Sequence, residues 1–330
     1  MTRTTCLYAG LLALLGGGCA KDGGNAPGPT QPAAQSPFAS VEVAAQASER
    51  FTSPRAGTPL PGGGVAFVAM QPATEETASR AAVLRGAPGE EPSVLYAGEL
   101  LQNPLDLDVS TDGATLYVAD SLHLDAEGNS AGALLLVPVG GGDPTAAALG
   151  YAPRAVTVAD SGDVYFSGRD PESREPGVFR LYGDAVETVY AGAPLVDPSG
   201  IAVASDGRVF VADTSLSDAE DSTLASRAGV LAVGEGRAEL FVTGFETGYP
   251  AGIALTSDDS ALIVSGQGSD SSNLVYVFAT ATPEAAPYVE TAFANQHWSS
   301  AGLHREHGAN RFAWCDRAAE GGTVYAIAAR

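Results

Sequence analysis

Residues 198–213 read PSGIAVASDGRVFVAD, and the plan of that stretch recurs along the chain. Pro198 opens a short apolar run, Ile201 to Val203. A Ser-Asp-Gly turn follows at Ser205 to Gly207, and a second apolar run, Val209 to Ala212, ends on Asp213. Proline fixes the backbone at the start of the first strand, and glycine supplies the left-handed conformation that a tight hairpin needs. The same plan is written as PLDLDVSTDGATLYVAD at 104–120, PRAVTVADSGDVYFSG at 153–168 and PAGIALTSDDSALIVSG at 250–266. A further copy, SAGLHREHGANRFAWCD at 300–316, has Ser300 in place of the proline. Successive starts lie 49, 45, 52 and 50 residues apart.

Each hairpin leads on to a third strand, such as Ala133 to Val137, Val178 to Leu181, Val230 to Val233 or Leu274 to Phe278. A fourth follows, such as Val186 to Tyr190 or Leu240 to Val242. Four short strands in a period of this length is the signature of a propeller blade, a sheet that buries its two faces only by stacking on its neighbours. No long helical periodicity interrupts the pattern. Residues 78–98, ASRAAVLRGAPGEEPSVLYAG, align with ASRAGVLAVGEGRAELFVTG at 225–244 and add one more blade. Its second, third and fourth strands fall at Val65 to Val68, Ala82 to Leu84 and Val94 to Tyr96, and its first somewhere in residues 50–60. The last copy ends after a third strand, Val324 to Ala329, and Ser40 to Val43 can supply the missing outer one. The expectation is an all-β, six-bladed propeller over residues 38–330, its ring closed by pairing the two ends of the domain.

The segments upstream address the compartment. Arg3, a short apolar run from Leu7 to Leu15 and three glycines precede Cys19. The run is too short to span a bilayer, which takes roughly 20 residues, and it reads as a signal peptide over 1–18. Cys19 after small residues resembles the bacterial lipoprotein signal, which implies lipidation of Cys19, export to the cell envelope and a membrane as partner through the lipid anchor. Residues 19–37, rich in Gly, Pro, Ala, Asn and Gln, read as a tether. Cys315 is then the one other cysteine of the mature chain, set in an apolar segment, and is expected to be a buried structural thiol. A formal net charge of −22, with 17 Lys and Arg against 39 Asp and Glu, excludes a nucleic acid partner.

The repeats PSGIAVASDGRVFVAD and PLDLDVSTDGATLYVAD resemble those of the NHL and SMP-30/gluconolactonase-like propellers. That resemblance implies one of two functions. The first is a binding or scaffold module for a protein or small-molecule ligand. The alternative is a metal-dependent lactonase or esterase-like hydrolase, with Ca or another divalent cation in the central channel. The lactonase pattern wants asparagines in Pro-Asn-Gly at the strand starts, and here those places read Pro198-Ser199-Gly200 and Pro250-Ala251-Gly252. Binding is therefore expected rather than catalysis, by a monomer, with no assigned metal ligand.

The candidate site is the channel mouth where the first strands begin. Asn103, Arg154, Asp197, Tyr249 and His297 stand there, one per blade, and differ in chemistry where the strands repeat. Arg154 and Asp197 are placed to form an ion pair between adjacent blades. Asp120 and Asp213 end second strands, with Ser167, Ser265 and Cys315 in the matching places. These aspartates are expected to accept backbone hydrogen bonds. His304 and His307 fall in the turn of the last hairpin and lack the zinc protease spacing.

Overall fold

In the computed structural model the residues described are 38–75, 77–216, 227–234, 236–268, 272–290, 300–318 and 322–329. Among them every regular element is a β-strand, and the strands assort into six antiparallel sheets. Blade one comprises Thr52–Pro59, Val65–Gln71, Arg80–Gly86 and Ser93–Tyr96. Blade two comprises Pro104–Val109, Thr115–Asp120, Ala133–Pro138 and Thr145–Ala147. Blade three is Ala155–Val158, Val164–Arg169, Pro176–Tyr182 and Ala185–Ala191, and blade four is Pro198–Val203, Val209–Leu216, Arg227–Gly234 and Arg237–Thr243. Blade five is Ile253–Leu255, Ala261–Gln267, Asn273–Ala279 and Tyr288–Glu290, with the short strand Glu246–Thr247 also paired to its second strand. Blade six takes Ser300–Arg305, Arg311–Asp316 and Thr323–Ala329 from the C-terminal end of the chain, and its outer strand is Phe38–Gln46.

That last pairing is the expected closure. It runs antiparallel from Phe38 opposite Ala329 to Gln46 opposite Thr323. Phe38 meets Phe312 edge to face at 5.6 Å between ring centroids, so the pairing is fastened by side chains as well as by the backbone.

The hydrophobic core is divided between the blades. Six clusters of buried apolar residues lie one between each pair of neighbours, including blades six and one. Alternation along one strand shows why. Val209 and Val211 join the cluster facing blade three, while Phe210 and Ala212 join the one facing blade five. A strand covered on both faces is apolar at every position, which accounts for the unbroken runs in the sequence. Burial declines from the axis outward. Pro104–Val109 is buried throughout, whereas the outer strands Thr145–Ala147 and Tyr288–Glu290 are not.

Space near the axis is short. A Cβ added at Gly200 would lie 2.3 Å from the carbonyl oxygen of Ala251, and one at Gly252 would lie 2.5 Å from that of Ala301. Real side chains do not approach so closely, so the inner strands of blades four to six meet through glycine.

Candidate ligand site at the channel mouth

The inner strands all start at one end of the propeller, at or near a shared landmark. Pro54, Pro104, Pro153, Pro198, Pro250 and Ser300 hold that place in blades one to six, as the pairing of each following hairpin shows. The first strand of blade one, not located more finely than residues 50–60 by the sequence, contains Ser53-Pro54-Arg55-Ala56. This matches Ala152-Pro153-Arg154-Ala155 of blade three. The two copies share an uncommon backbone as well: Ser53 and Ala152 have φ of 49° and 43°. The same local geometry thus directs Arg55 and Arg154 to the same end.

Around this mouth each blade contributes one polar side chain. Arg55 of blade one donates to Asn103 Oδ1 of blade two at 2.6 Å and to the Pro104 carbonyl at 3.0 Å. Asn103 in turn donates through Nδ2 to Ser121 Oγ at 2.9 Å. Arg154 of blade three makes the expected ion pair with Asp197 of blade four, and it reaches past that blade to donate to the Tyr249 hydroxyl of blade five at 2.8 Å. The other Asp197 oxygen accepts from Thr214 Oγ1 at 2.9 Å. Arg317 of blade six donates to the Tyr249 carbonyl at 2.7 Å.

The sequence-derived residues Asn103, Arg154, Asp197 and Tyr249 are therefore brought to one end, and Arg154, Asp197 and Tyr249 touch directly. His297, the fifth, lies outside the described residues, as does Cys19. Arg55 and Arg317 are additions. Arg55 was legible in the repeated Pro-Arg-Ala. Arg317 was hidden by a one-residue misalignment, because Ser167 and Cys315 do not correspond to Asp120. Asp106 pairs with Ala119 and Ala155 with Ser167, so Ser167 matches Ala119. In the same way Cys315 matches Ala119, and Asp316 matches Asp120. Arg317 then follows Asp316 as Ser121 follows Asp120 and Thr214 follows Asp213.

Those aspartates hold the strand starts. Asp120 accepts from the backbone N–H of Gln102, Asn103 and Leu122 at 2.7, 3.0 and 3.1 Å. Asp213 accepts from Val196, Asp197 and Ser215 at 2.8, 3.0 and 2.8 Å. Burial raises the pKa of both carboxyls against the pull of these donors. The expected structural role is what they perform. Ser167 and Ser265 serve neighbouring blades by donating to the carbonyls of Pro198 and Ala301, each at 2.9 Å. Cys315 is fully buried, and burial pushes its thiol pKa well up.

Below the mouth the axis is crossed by charge. His304 lies in the first strand of blade six rather than in the following turn, because that strand extends to Arg305. Its ring meets Asp106 Oδ1 at 2.7 Å and lies 4.0 Å from Asp108 Oδ2. Asp108 also accepts from Thr58 Oγ1 at 2.7 Å and from the backbone of Val158 at 2.8 Å, and Asp106 accepts from that of Val156 at 3.0 Å. These carboxylates satisfy backbone N–H groups on the innermost edge of blade three, which pairs with no further strand. Burial alone would lower the His304 pKa, but the charge and hydrogen bond of Asp106 and the charge of Asp108 outweigh it and raise it to about 9. His307 sits in the turn at the far end, against Asp160 and the Val109 carbonyl.

The described residues of the mouth and axis do not form a set of ligands for a divalent cation. The mouth presents three guanidinium groups and one carboxylate already engaged by Arg154, and the axial carboxylates hold a cationic imidazole. No group of three or more His, Cys, Asp or Glu among the described residues is placed to hold a metal. Hard cations take six or so oxygen ligands.

No family model matches the chain, and no curated protein matches its sequence. Solved structures do match its shape. The PQQ-bound aldose sugar dehydrogenase of Streptomyces coelicolor aligns with a TM-score of 0.62 at 12% identity, over 87% of this chain and 98% of that one. The luciferin-regenerating enzyme aligns with a TM-score of 0.56 at 9% identity, over 88% and 95%. A chain of the nidogen/laminin complex aligns with a TM-score of 0.52 at 13% identity, over 80% and 85%. The shared feature is the propeller. At such identities the likeness establishes architecture and leaves the chemistry to the side chains.

Proposed function

We propose that this chain is a binding propeller for a small polar molecule, held at the mouth where the inner strands start. The observation that carries the reading is the convergence there of one polar side chain from each of six blades, drawn from positions up to 262 residues apart (Arg55 to Arg317). A single ligand at that end would touch residues that no local segment could assemble. The reading includes attachment of the propeller to a cell-envelope membrane through lipidated Cys19.

Its test is a thermal-shift screen of purified protein against neutral sugars, lactones, organic acids and phosphate esters. The screen is repeated on an Arg154→Ala, Tyr249→Ala double variant. A compound that raises the melting temperature of the parent and not of the variant is the expected result. If every stabilising compound acts equally on both proteins, the mouth is not the site. Screening lactone and ester hydrolysis with and without a chelator tests the metal-dependent hydrolase. Chelator-sensitive turnover would replace the present reading.

A further inference from the structure

We infer that the ligand is an oxyanion, a carboxylate or a phosphate monoester carried on a small molecule, received between the guanidinium groups of Arg55 and Arg317. The inference rests on the mouth being a ligand site, and it names what that site would take.

The chain has 17 Lys and Arg against 39 Asp and Glu, so cations have an excess of partners. Several arginines away from the mouth use them. Arg50 pairs with Glu91, Arg180 with Asp163, Arg208 with Asp206, Arg305 with Asp160 and Arg311 with Glu306. At the mouth Arg154 has Asp197. Arg80, Arg85 and Arg169 meet neutral acceptors. The partners of Arg55 and Arg317 among the described residues are neutral too, namely Asn103 Oδ1 and the carbonyls of Pro104 and Tyr249. The two arginines stand on the neighbouring blades one and six, whose inner strands pack together, and the charge of Arg317 is, after burial, the main influence lowering the Arg55 pKa. Two like charges set together at a partly buried position destabilise the fold on their own account. Asp120 acts on Arg55 from beneath, but its oxygens are occupied by three backbone N–H groups. Outside the described residues, 291–299 contain no acid, whereas 217–226 contain Asp218, Glu220 and Asp221 and 319–321 contain Glu320.

Guanidinium groups bind carboxylate and phosphate in forked pairs of hydrogen bonds, and such charge-assisted bonds are strong where water is scarce. Tyr249 adds a donor. Its oxygen accepts from Arg154, which leaves the O–H proton for an anion. Burial raises its pKa in spite of three nearby arginines, so the phenol keeps that proton at neutral pH.

The experiment is calorimetric titration of the purified protein with succinate and with inorganic phosphate in low salt, and with glucose as a neutral control. The Arg55→Gln, Arg317→Gln and double variants are titrated alongside. Binding of at least one of the two anions is expected. Its affinity should fall about tenfold or more in each single variant and vanish in the double. Which anion binds distinguishes carboxylate from phosphate. Melting temperatures of the variants should equal or exceed that of the parent, because a repulsion is removed. A purely structural role would lower them. A Glu320→Gln variant checks the acid that follows Arg317 three residues on. Retained anion binding and unchanged stability are expected, whereas instability matching that of Arg317→Gln would make Glu320 the natural partner and overturn the proposal. No binding of either anion, or binding indifferent to the double variant, would also overturn it. Glucose binding that depends on Arg154 and Tyr249 would, in that case, leave the mouth as the ligand site.

Discussion

His304 is the residue whose chemistry departs furthest from its ordinary behaviour. Its folded pKa of about 9 stands above the unfolded value of 6.5. A group raised in this way contributes stability that is fully present below pH 6.5 and is lost as pH rises through 9. Asp106 and Asp108 are the charged groups facing it, and both are nearly inaccessible to solvent, so screening is weak. Urea unfolding between pH 6 and 10 should therefore show stability falling by a few kcal/mol across the alkaline half of that range. In His304→Gln that slope should flatten, with a lower stability already at pH 6. A parent protein equally stable at pH 6 and 9.5 would mean that His304 is neutral in the fold. Sequence reading found this histidine but not its partners. Asp106 and Asp108 lie 198 and 196 positions away, and only the closing of the ring brings blades two and six to a common axis. Arg55 is the opposite case, readable from a repeated tripeptide once the proline of blade one is recognised.

Among the elements, the strand Phe38–Gln46 has the largest consequence for its size. It covers the outer edge of Thr323–Ala329, and Phe38 packs in the cluster that holds Phe312, Trp314 and Ile327. Without it that edge would expose unpaired backbone, and unpaired edges recruit other chains. A chain beginning at Phe38 is expected to melt at the temperature of the full protein. One beginning at Ala47 loses a strand of ladder and the burial of a phenylalanine, a loss of several kcal/mol. It should melt far lower or aggregate, as light scattering during a thermal ramp would show. Equal melting temperatures for the two would mean that the ring holds without its closure. This strand could be matched to its partner from sequence because the last blade visibly lacked one. The strand starts were harder. A slip of one residue separates Cys315 from Asp316, and repeats that align by eye tolerate such a slip where hydrogen-bond register does not.

At the scale of the whole molecule, the remaining expectation concerns attachment. Mass spectrometry of protein isolated from native membranes should find Cys19 as the first residue, carrying two or three acyl chains; a mature chain that starts elsewhere and bears no lipid would refute the anchor. A single lipid chain holds a protein only weakly, so multiple acylation is the form that fits stable attachment. The sequence by itself determined the six-bladed plan, the closing strand and the end of the propeller at which Asn103, Arg154, Asp197 and Tyr249 stand. Those follow from periodicity, from a count of strands and from strand direction, all of which are local properties of the chain. Tertiary structure alone decided which residues meet: Arg154 with Tyr249 across an intervening blade, Arg317 above the same tyrosine, and His304 between Asp106 and Asp108. Contacts at the axis depend on blade angle and on the exact pairing register, and neither is encoded in any one repeat. They arise only when six sheets close on one another, because each places a short segment within reach of all the others.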